Sequence, residues 1–453
     1  MKKPTCVPGA LLVRASLLLG IVMMAGPRRV AAQTPAIDVQ KARQYFAEAK
    51  ALSDQDHGVL WKVQLCGPLL FVEPETRYAV ANQADAERNL NPLDGIFAGN
   101  APPELGFANT ATKWAGIEWT MVMWPLPQYK QPRLRLVMHE CFHRVQSQIG
   151  LEATDALNSH LDSLVGRIWL QMEWRALEHA FWQQGEERKR DVADAVFFRN
   201  YRRSFFPAAA AANENALEMN EGMAEYTGFK LSTFSPEEYA VAVAAWLGAA
   251  PTRTPSYGRS FAYSSGPAYG GLLDAVSKSW RTGLTPKTDL GQLLAQTYGV
   301  QVPAPDKAQA IGRAERYDGR EVSAIETERE ARHQARVAAA RKLFVDGPVL
   351  ALPVGPRFSY TFDPNAVLAL DDKLTLYEGQ IQVSDGWGRL KTTEGVLFTR
   401  ENGRILRVQV PAPADANERR LTGTGWTLEL QPEWQAVPEG RPGDFAVRQE
   451  SKP

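Results

Sequence analysis

The stretch "RLRLVMHECFHRVQ", residues 133–146, places His139 and His143 four positions apart, with Glu140 directly after the first histidine. Two histidines at this spacing lie on one face of a helix and can reach a single metal ion. The apolar residues around them would turn this face towards a core, where imidazoles and carboxylates are uncommon without a function. The sequence therefore predicts a helix that carries a metal centre; an ordinary helix with two histidines is the alternative.

The glutamate beside the first histidine indicates what the metal does. A catalytic zinc site typically has three protein ligands and an open position for water. A carboxylate next to a ligand can take a proton from that water and later give it to the leaving amine. We therefore predict one zinc ion per chain, with His139 and His143 as ligands and Glu140 as general base and then general acid.

The third ligand has to come from farther along the chain. A histidine six residues after His143 would indicate the metzincin pattern, but residue 149 is isoleucine. His160 and His179 belong to a long predicted amphipathic helix and are expected to be surface or core residues. Carboxylates are therefore the remaining candidates.

One carboxylate lies in a recognisable motif. The string "LEMNEGMAEYTG" (217–228) resembles the second motif of the gluzincin peptidases, especially the aminopeptidase N family, where an Asn-Glu-Gly-x-Ala run supplies a zinc-binding glutamate. Asn220, Glu221, Gly222 and Ala224 match that run residue by residue. The resemblance implies that Glu221 is the third zinc ligand.

Two other glutamates lie in the same segment. Glu218 faces a different side of the predicted helix and is a rival for the ligand role. Glu225 lies one turn after Glu221 on the same face, so it either orients a ligand histidine or points to solvent.

A third motif concerns the transition state. In the aminopeptidase N family a Tyr-x-x-Gly segment opens a helix after the glutamate motif, and its tyrosine hydroxyl stabilises the oxyanion. The string "FAYSSGPAYGGLLDAV" (261–276) resembles this segment, with Tyr263 and Gly266 at the matching positions. The resemblance implies that Tyr263 binds the oxyanion; Tyr257 and Tyr269 are the alternative tyrosines.

The chain departs from the family in two ways. The span from His143 to Glu221 is much longer than usual, which an inserted helical hairpin at 153–206 would explain. The loop that holds a substrate's free amino terminus in the family has no clear counterpart, although "GIEW" (116–119) lies in about the right place. The resemblance therefore implies zinc hydrolysis but not aminopeptidase specificity. The strand near 118–125 is expected to pair with extended substrate.

Patterns elsewhere define the fold class. Apolar runs on either side of a turn at 59–82 predict a β-hairpin, and the pattern is mainly helical from about 132. After residue 345, alternating polar and apolar residues interrupted by Asp-Gly, Glu-Gly and Asn-Gly pairs predict strands. We predict an α+β fold with a mainly helical zincin-like catalytic domain at 33–345, which includes a small N-terminal β-sheet. A separate β-rich domain follows at 346–453.

The N-terminus predicts export. Residues 1–32 combine basic residues, the apolar run "ASLLLGIVMMAG" (15–26) and small residues before a cleavage site after Ala32, as in a signal peptide. We therefore expect a secreted or periplasmic protein with no membrane span in the mature chain. Cleavage removes basic residues only and leaves a mildly acidic chain, which argues against nucleic acid as the partner.

These observations predict an exported zinc metallopeptidase, a hydrolase that acts on a peptide or protein substrate. One alternative is an exported binding or scaffold protein whose zinc site is vestigial or structural. The other is a zinc hydrolase of non-peptide amides in the cell envelope. Exopeptidase and endopeptidase modes, and the oligomeric state, remain open.

Overall fold

The computed structural model describes residues 37–154, 156, 158–363, 366–416 and 418–450. It contains a helical region with a small sheet at its N-terminal side and a β-rich C-terminal region, so the predicted α+β class is confirmed. The predicted signal peptide at 1–32 lies outside the described residues. None of the helices described in those ranges combines the length and apolar character needed to cross a lipid bilayer.

The N-terminal sheet has six strands: β1 (Leu69–Val72), β2 (Tyr78–Ala81), β3 (Asn91–Leu93), β4 (Ile96–Asn100), β5 (Thr110–Trp114) and β6 (Ile117–Met123). Their order is β3-β4-β2-β1-β6-β5, with β1 and β6 parallel and the other pairs antiparallel. The predicted hairpin at 59–82 is β1 and β2. Alternate residues such as Phe71 and Val122 face the helices and join their core.

Eleven α-helices are described: α1 (Val39–Asp56), α2 (Lys130–Val145), α3 (Leu164–Trp182), α4 (Gly185–Arg203), α5 (Ala208–Leu217), α6 (Met223–Ser232), α7 (Pro236–Arg253), α8 (Ala262–Asp274), α9 (Leu290–Tyr298), α10 (Lys307–Ala314) and α11 (Gly319–Arg341). The histidine helix α2 lies inside one large hydrophobic core, to which it contributes Val137, Met138 and Phe142. Burial on most sides fixes the orientation of its polar face.

Arg133 anchors the beginning of α2. Its guanidinium donates to the carbonyl oxygens of Pro127 and Gln128, at 2.9 and 2.7 Å, and to a carboxylate oxygen of Glu48 on α1 at 2.8 Å. A buried guanidinium that pairs with a carboxylate and two carbonyls has its donors largely satisfied. The start of the histidine helix is thereby held against α1 and the preceding loop.

The predicted helical hairpin at 153–206 corresponds to α3 and α4. It contains a buried ion network in which Arg199 donates to Glu173 at 3.1 Å and to Glu218 at 2.9 Å, while Arg202 donates to Glu173 at 2.8 Å and also pairs with Glu214. Buried charges are tolerated when they are paired in this way. Because Glu214 and Glu218 precede Glu221, the hairpin supports the segment that carries the predicted third ligand.

The C-terminal region contains the remaining strands: β7 (Val349–Pro353), β8 (Ser359–Thr361), β9 (Val367–Ala369), β10 (Leu374–Glu378), β11 (Ile381–Asp385), β12 (Gly388–Thr392), β13 (Gly395–Glu401), β14 (Arg404–Pro411), β15 (Arg420–Gly423), β16 (Trp426–Leu430), β17 (Trp434–Pro438) and β18 (Phe445–Gln449). They form a seven-stranded sheet, β17-β18-β7-β14-β13-β10-β9, and a five-stranded sheet, β15-β16-β12-β11-β8. The sheets share a core that includes Trp387 and Phe398. Phe344, just after α11, packs on Leu368 and Leu397 of the larger sheet.

Candidate metal centre

The two histidines of α2 point to a common centre. Their Nε2 atoms lie 3.1 Å apart, and the rings are nearly perpendicular, with an interplanar angle of 69°. His139 is buried, whereas His143 is partly buried. The spacing of four residues thus brings one nitrogen of each ring to the same point, as the sequence predicts.

Glu221 reaches this point from a wide π-helical turn, Glu218–Gly222, between α5 and α6. Its Oε2 atom lies 3.3 Å from Nε2 of His139 and 3.4 Å from Nε2 of His143. Single π-helical turns inside α-helices are frequent at functional sites because they redirect side chains. The structure therefore brings the three predicted ligand residues together around one point.

The hydrogen bonds behind the rings decide which nitrogen is available to a metal. Nδ1 of His139 lies 2.8 Å from a carboxylate oxygen of Glu225, and Nδ1 of His143 lies 2.9 Å from the side-chain oxygen of Gln146. Both oxygens are acceptors, so each neutral ring carries its hydrogen on Nδ1 and directs its Nε2 lone pair at the centre. The two Nε2 atoms and Oε2 of Glu221 are therefore three acceptor atoms that point to the same centre.

This donor set fits zinc. Ligand bonds of about 2.0–2.1 Å in a tetrahedral site separate the ligand atoms by roughly 3.3–3.4 Å, close to the 3.1, 3.3 and 3.4 Å found between these three atoms. Two imidazole nitrogens and one carboxylate oxygen are ordinary ligands of catalytic zinc, and they leave one tetrahedral position for water.

The electrostatics of the pocket favour positive charge. Burial opposes protonation of His139, but hydrogen bonds to Glu221 and Glu225 outweigh it and raise the pKa of the ring to about 10. Burial likewise opposes ionisation of Glu221, but its hydrogen bonds to His139 and His143 hold the pKa of this carboxyl far below its usual range. A field that stabilises an imidazolium here also stabilises a cation bound between these groups.

Glu140 lies beside the three ligand residues and is 4% exposed. Among the described residues, its Oε2 atom has no hydrogen-bond partner. The carboxylate lines a cleft of about 400 Å³ together with His139 and Tyr263. Burial raises the pKa of Glu140, although both histidines oppose the rise. A buried carboxylate with an unpartnered oxygen next to a cleft is suited to accept a proton from a bound molecule.

Tyr263, on the first turn of α8, covers the site from the side of the cleft. Its ring stacks on His139 with 5.5 Å between ring centroids and an interplanar angle of 7°. Burial and the neighbouring carboxylate of Glu221 raise the pKa of Tyr263 well above its ordinary value. The phenol is therefore protonated at neutral pH and can donate a hydrogen bond. Tyr257 and Tyr269 bond instead to the Pro251 carbonyl and to Glu173.

The structure also separates the alternative ligands from the centre. Glu218 is fully buried and pairs with Arg199, while Glu225 is bonded to the far nitrogen of His139. Of the two interpretations of Glu225 left open by the sequence, the structure agrees with an orienting role. His160 pairs with Glu214, and His179 packs edge-on against Tyr317, so both serve the core of the helical region.

Two residues that form hydrogen bonds with the ligand residues were not predicted from the sequence. Gln146 accepts from His143 and donates to the side-chain oxygen of Asn220 at 3.1 Å, which links α2 to the π-helical turn. Its position three residues after His143 is a signal that could have identified it. Arg259 donates to Oε1 of Glu221 at 2.7 Å and leaves the other oxygen facing the histidines. No motif in the sequence indicates this contact.

The strand at 118–125, which was expected to pair with substrate, is covered by β5 only along residues 118–121. This segment is mostly β6, which lies inside the sheet and is bonded to β1 on one side and β5 on the other. Residues 118–121 therefore have no free backbone edge for a peptide, whereas the pairing with β5 ends at Met121 and the Met123 amide donates to the Asn109 side chain at 2.8 Å. The edge strand on this side of the sheet is β5, and Asn109, just before it, lines the cleft over His139.

His139, His143 and Glu221 thus form a three-residue group whose ligand atoms all lie within 4.8 Å of one another. Comparison with protein-family models, with curated proteins and with solved structures gives no match for this chain.

Proposed function

We propose that this protein is an exported zinc-dependent peptidase of the gluzincin type, with one zinc ion per chain held by His139, His143 and Glu221. The observation that carries the proposal is the convergence of three acceptor atoms, each 3.1–3.4 Å from the other two. The unpartnered carboxylate oxygen of Glu140 beside them supports hydrolysis rather than a structural metal site.

Zinc bound at this position supplies Lewis acidity, which polarises a substrate carbonyl and lowers the pKa of water to about 7. Glu140 accepts a proton from the attacking water and later transfers it to the nitrogen of the leaving amine. Its buried position supports this role because a raised pKa makes the carboxylate a stronger base. The peptide bond breaks as that nitrogen is protonated.

The surrounding residues hold the geometry. Tyr263 donates from its hydroxyl to the carbonyl oxygen as the carbon becomes tetrahedral, an interaction typically worth about 3 kcal/mol. Glu225 and Gln146 accept from the Nδ1 atoms of His139 and His143 and keep both rings in the metal-binding tautomer. Arg259 fixes one carboxylate oxygen of Glu221.

The location and partner of this peptidase follow from the sequence. The signal peptide proposed at 1–32 directs export and is cut after Ala32, so the mature enzyme acts outside the cytoplasm on a peptide or protein substrate. Nucleic acid is not proposed as a partner because the mature chain is mildly acidic.

Metal content and cleavage together test the proposal. The mature chain is purified as wild type and as Glu140→Gln, His143→Ala and Glu221→Ala variants, with Glu237→Gln, at an exposed position, as the control. We expect about one zinc ion per chain in wild type, Glu140→Gln and the control, and a loss of zinc in the two ligand variants. Wild type cleaves a casein or peptide library, and Glu140→Gln loses at least about 100-fold of that activity.

Three results contradict the proposal. Equal activity in Glu140→Gln rules out the proton-transfer role. Zinc retained at full affinity in Glu221→Ala moves the third ligand elsewhere. Cleavage of cell-wall fragments but of no peptide identifies the site as an amide hydrolase of the cell envelope.

A further inference from the structure

A second and larger cleft, of about 930 Å³, adjoins the candidate metal centre. Its walls come from α7, the loop before α8, α11 and strand β9 of the C-terminal region. Trp246 and Tyr263 line both this cleft and the smaller one over His139. A molecule bound at the metal centre can therefore extend past Tyr263 into the larger space.

The larger cleft is lined by four arginines and a single acidic residue. The arginines are Arg253, Arg259, Arg329 and Arg336, and we call this space the arginine cleft. Arg259 pairs with Glu221, and Arg336 pairs with Glu378. Asp162 is the one acidic residue in its lining, and its carboxylate already accepts from the Ser256 hydroxyl and the Tyr257 amide, both at 2.6 Å. The whole chain carries equal numbers of basic and acidic residues, so this positive charge is a local concentration.

Two of these arginines lack a close carboxylate partner. Arg253 donates to the Trp246 carbonyl at 2.8 Å and the Ser264 hydroxyl at 2.7 Å, and its guanidinium stacks on the Trp246 ring at 3.5 Å. Among the described residues, Arg253 forms no ion pair with a carboxylate. Arg329 lies 4.0 Å from Glu326, whose carboxylate is already bonded to Arg167 at 2.7 Å. A partly buried guanidinium held in place without a counter-ion favours an anionic ligand.

The wall opposite the helices contains backbone as well as side chains. Strand β9 is the last strand of the seven-stranded sheet and is bonded to β10 on one side. Its residues Val367, Leu368 and Ala369 line the arginine cleft. The outer edge of such a strand offers amide and carbonyl groups to an extended peptide. This feature favours a peptide over other polyanions.

We propose that the arginine cleft binds an acidic segment of the substrate, so that the enzyme selects peptides with aspartate or glutamate residues on one side of the cleaved bond. The proposal rests on the proposed peptidase function and adds its substrate class. Arg253 and Arg329 supply the charges that recognise the carboxylates, and β9 offers its edge to the peptide backbone.

Peptide binding is measured on a variant that cannot cleave peptides, so this proposal is tested separately from the proposed function. The probe is a fluorescent peptide that carries aspartates and glutamates. The comparison peptide has the same sequence with asparagines and glutamines in their place. Both are titrated against zinc-loaded Glu140→Gln protein at low and high salt. We expect the acidic peptide to bind about 10-fold more tightly or better at low salt, since charge-assisted bonds of this kind are worth about that factor.

Variants identify the residues responsible. Arg253→Gln and Arg329→Gln are each added to Glu140→Gln. Each is expected to reduce the ratio of the two peptide affinities, acidic over neutral, towards one. Arg329 has a single distant ion pair, so its variant tests the cleft if Arg253→Gln fails to fold. Arg320→Gln is the control, because this residue lies on the same helix with 88% of its side chain exposed.

Equal binding of the two peptides, or an unchanged preference in the Arg329 variant, overturns the proposal. Binding of an acidic polysaccharide or of DNA, with no preference for the acidic peptide, overturns it as well. If the acidic peptide binds through these arginines but wild type cleaves no peptide, the proposed function fails and the cleft remains an acidic-peptide site.

Discussion

Gly222 and Gly266 pack backbone against backbone, with no room for a Cβ atom at residue 266 and a tight fit for one at residue 222. A Cβ atom at residue 266 would overlap the carbonyl oxygen and Cα of Gly222, and one at residue 222 would lie 3.2 Å from Gly266 Cα. The first glycine follows Glu221 and the second lies one turn after Tyr263. This contact joins the glutamate motif to the tyrosine motif, because the absence of a Cβ atom at residue 266 allows the π-helical turn and α8 to approach so closely.

Gly266→Ala is expected to destabilise the protein by roughly 1–3 kcal/mol, since the added methyl group meets backbone that cannot move aside without shifting α8. The same shift displaces Tyr263, so cleavage should fall more than the folded fraction does. Urea unfolding measures the change in stability. An assay under conditions in which the variant is fully folded measures the loss of cleavage. Gly248→Ala, on the exposed face of α7, is the control and should be neutral or stabilising by up to about 1 kcal/mol. Unchanged stability in Gly266→Ala contradicts the close contact.

Glu225 orients His139, and its removal should weaken metal binding without removing a ligand. Glu225→Ala is expected to lower zinc affinity by about 10- to 100-fold, the usual cost of losing such a partner. Glu225→Gln keeps an acceptor oxygen, so it should lower zinc affinity by a smaller factor. Competition with a chelator measures the affinities, and Glu237→Ala on the surface of α7 provides the baseline. An affinity equal to wild type in the alanine variant would show that the 2.8 Å contact with His139 has no role in the site.

Tyr263→Phe separates transition-state stabilisation from packing. The phenylalanine ring keeps the stacking on His139 but loses the hydroxyl, so zinc content should stay the same while kcat falls by about 100- to 1,000-fold. Steady-state kinetics with a peptide that the wild type cleaves give kcat and KM. Tyr78→Phe, in strand β2, is the comparison and should retain full activity. A fall confined to KM would assign Tyr263 to substrate binding instead.

The sequence predicted the three residues of the candidate metal centre because each lies in a short local pattern. His139 and His143 meet through the helical repeat alone, and Glu221 was identified by a motif whose neighbouring Gly222 has a definite packing role. These inferences need no knowledge of the rest of the fold. The helical hairpin between the motifs was inferred from the long span that separates them, and α3 and α4 occupy that span.

Features that depend on distant partners were missed. Strand β6 looks the same in sequence whether it lies inside the sheet or at its edge, because only the pairing with β5 decides. Arg259 comes from a loop with no regular pattern, so its bond to Glu221 follows only from the packing of α8. The sequence likewise gave no indication that Arg199 and Arg202 are buried with carboxylate partners.

The buried ion network predicts how acid affects stability. Burial opposes ionisation of Asp289, but Arg199 and Arg203 outweigh it and lower the pKa of this carboxyl to about 2. A carboxyl whose pKa is lower in the folded than in the unfolded chain stabilises the fold above the unfolded value, near 4, and loses that contribution as the pH falls through 2. The difference corresponds to roughly 2 kcal/mol at neutral pH.

Asp289→Asn removes this charge and keeps an oxygen that can accept from the Gly291 and Gln292 amides at the start of α9. We expect the variant to be less stable than wild type by roughly 2 kcal/mol at pH 7, with the difference shrinking between about pH 4 and pH 2. Urea unfolding across this range measures it. Asp306→Asn, at the exposed start of α10, is the matched control and should change stability by no more than about 0.5 kcal/mol. A difference for Asp289→Asn that is independent of pH would mean that the ion pairs with Arg199 and Arg203 contribute nothing, and that only the shape of the side chain matters.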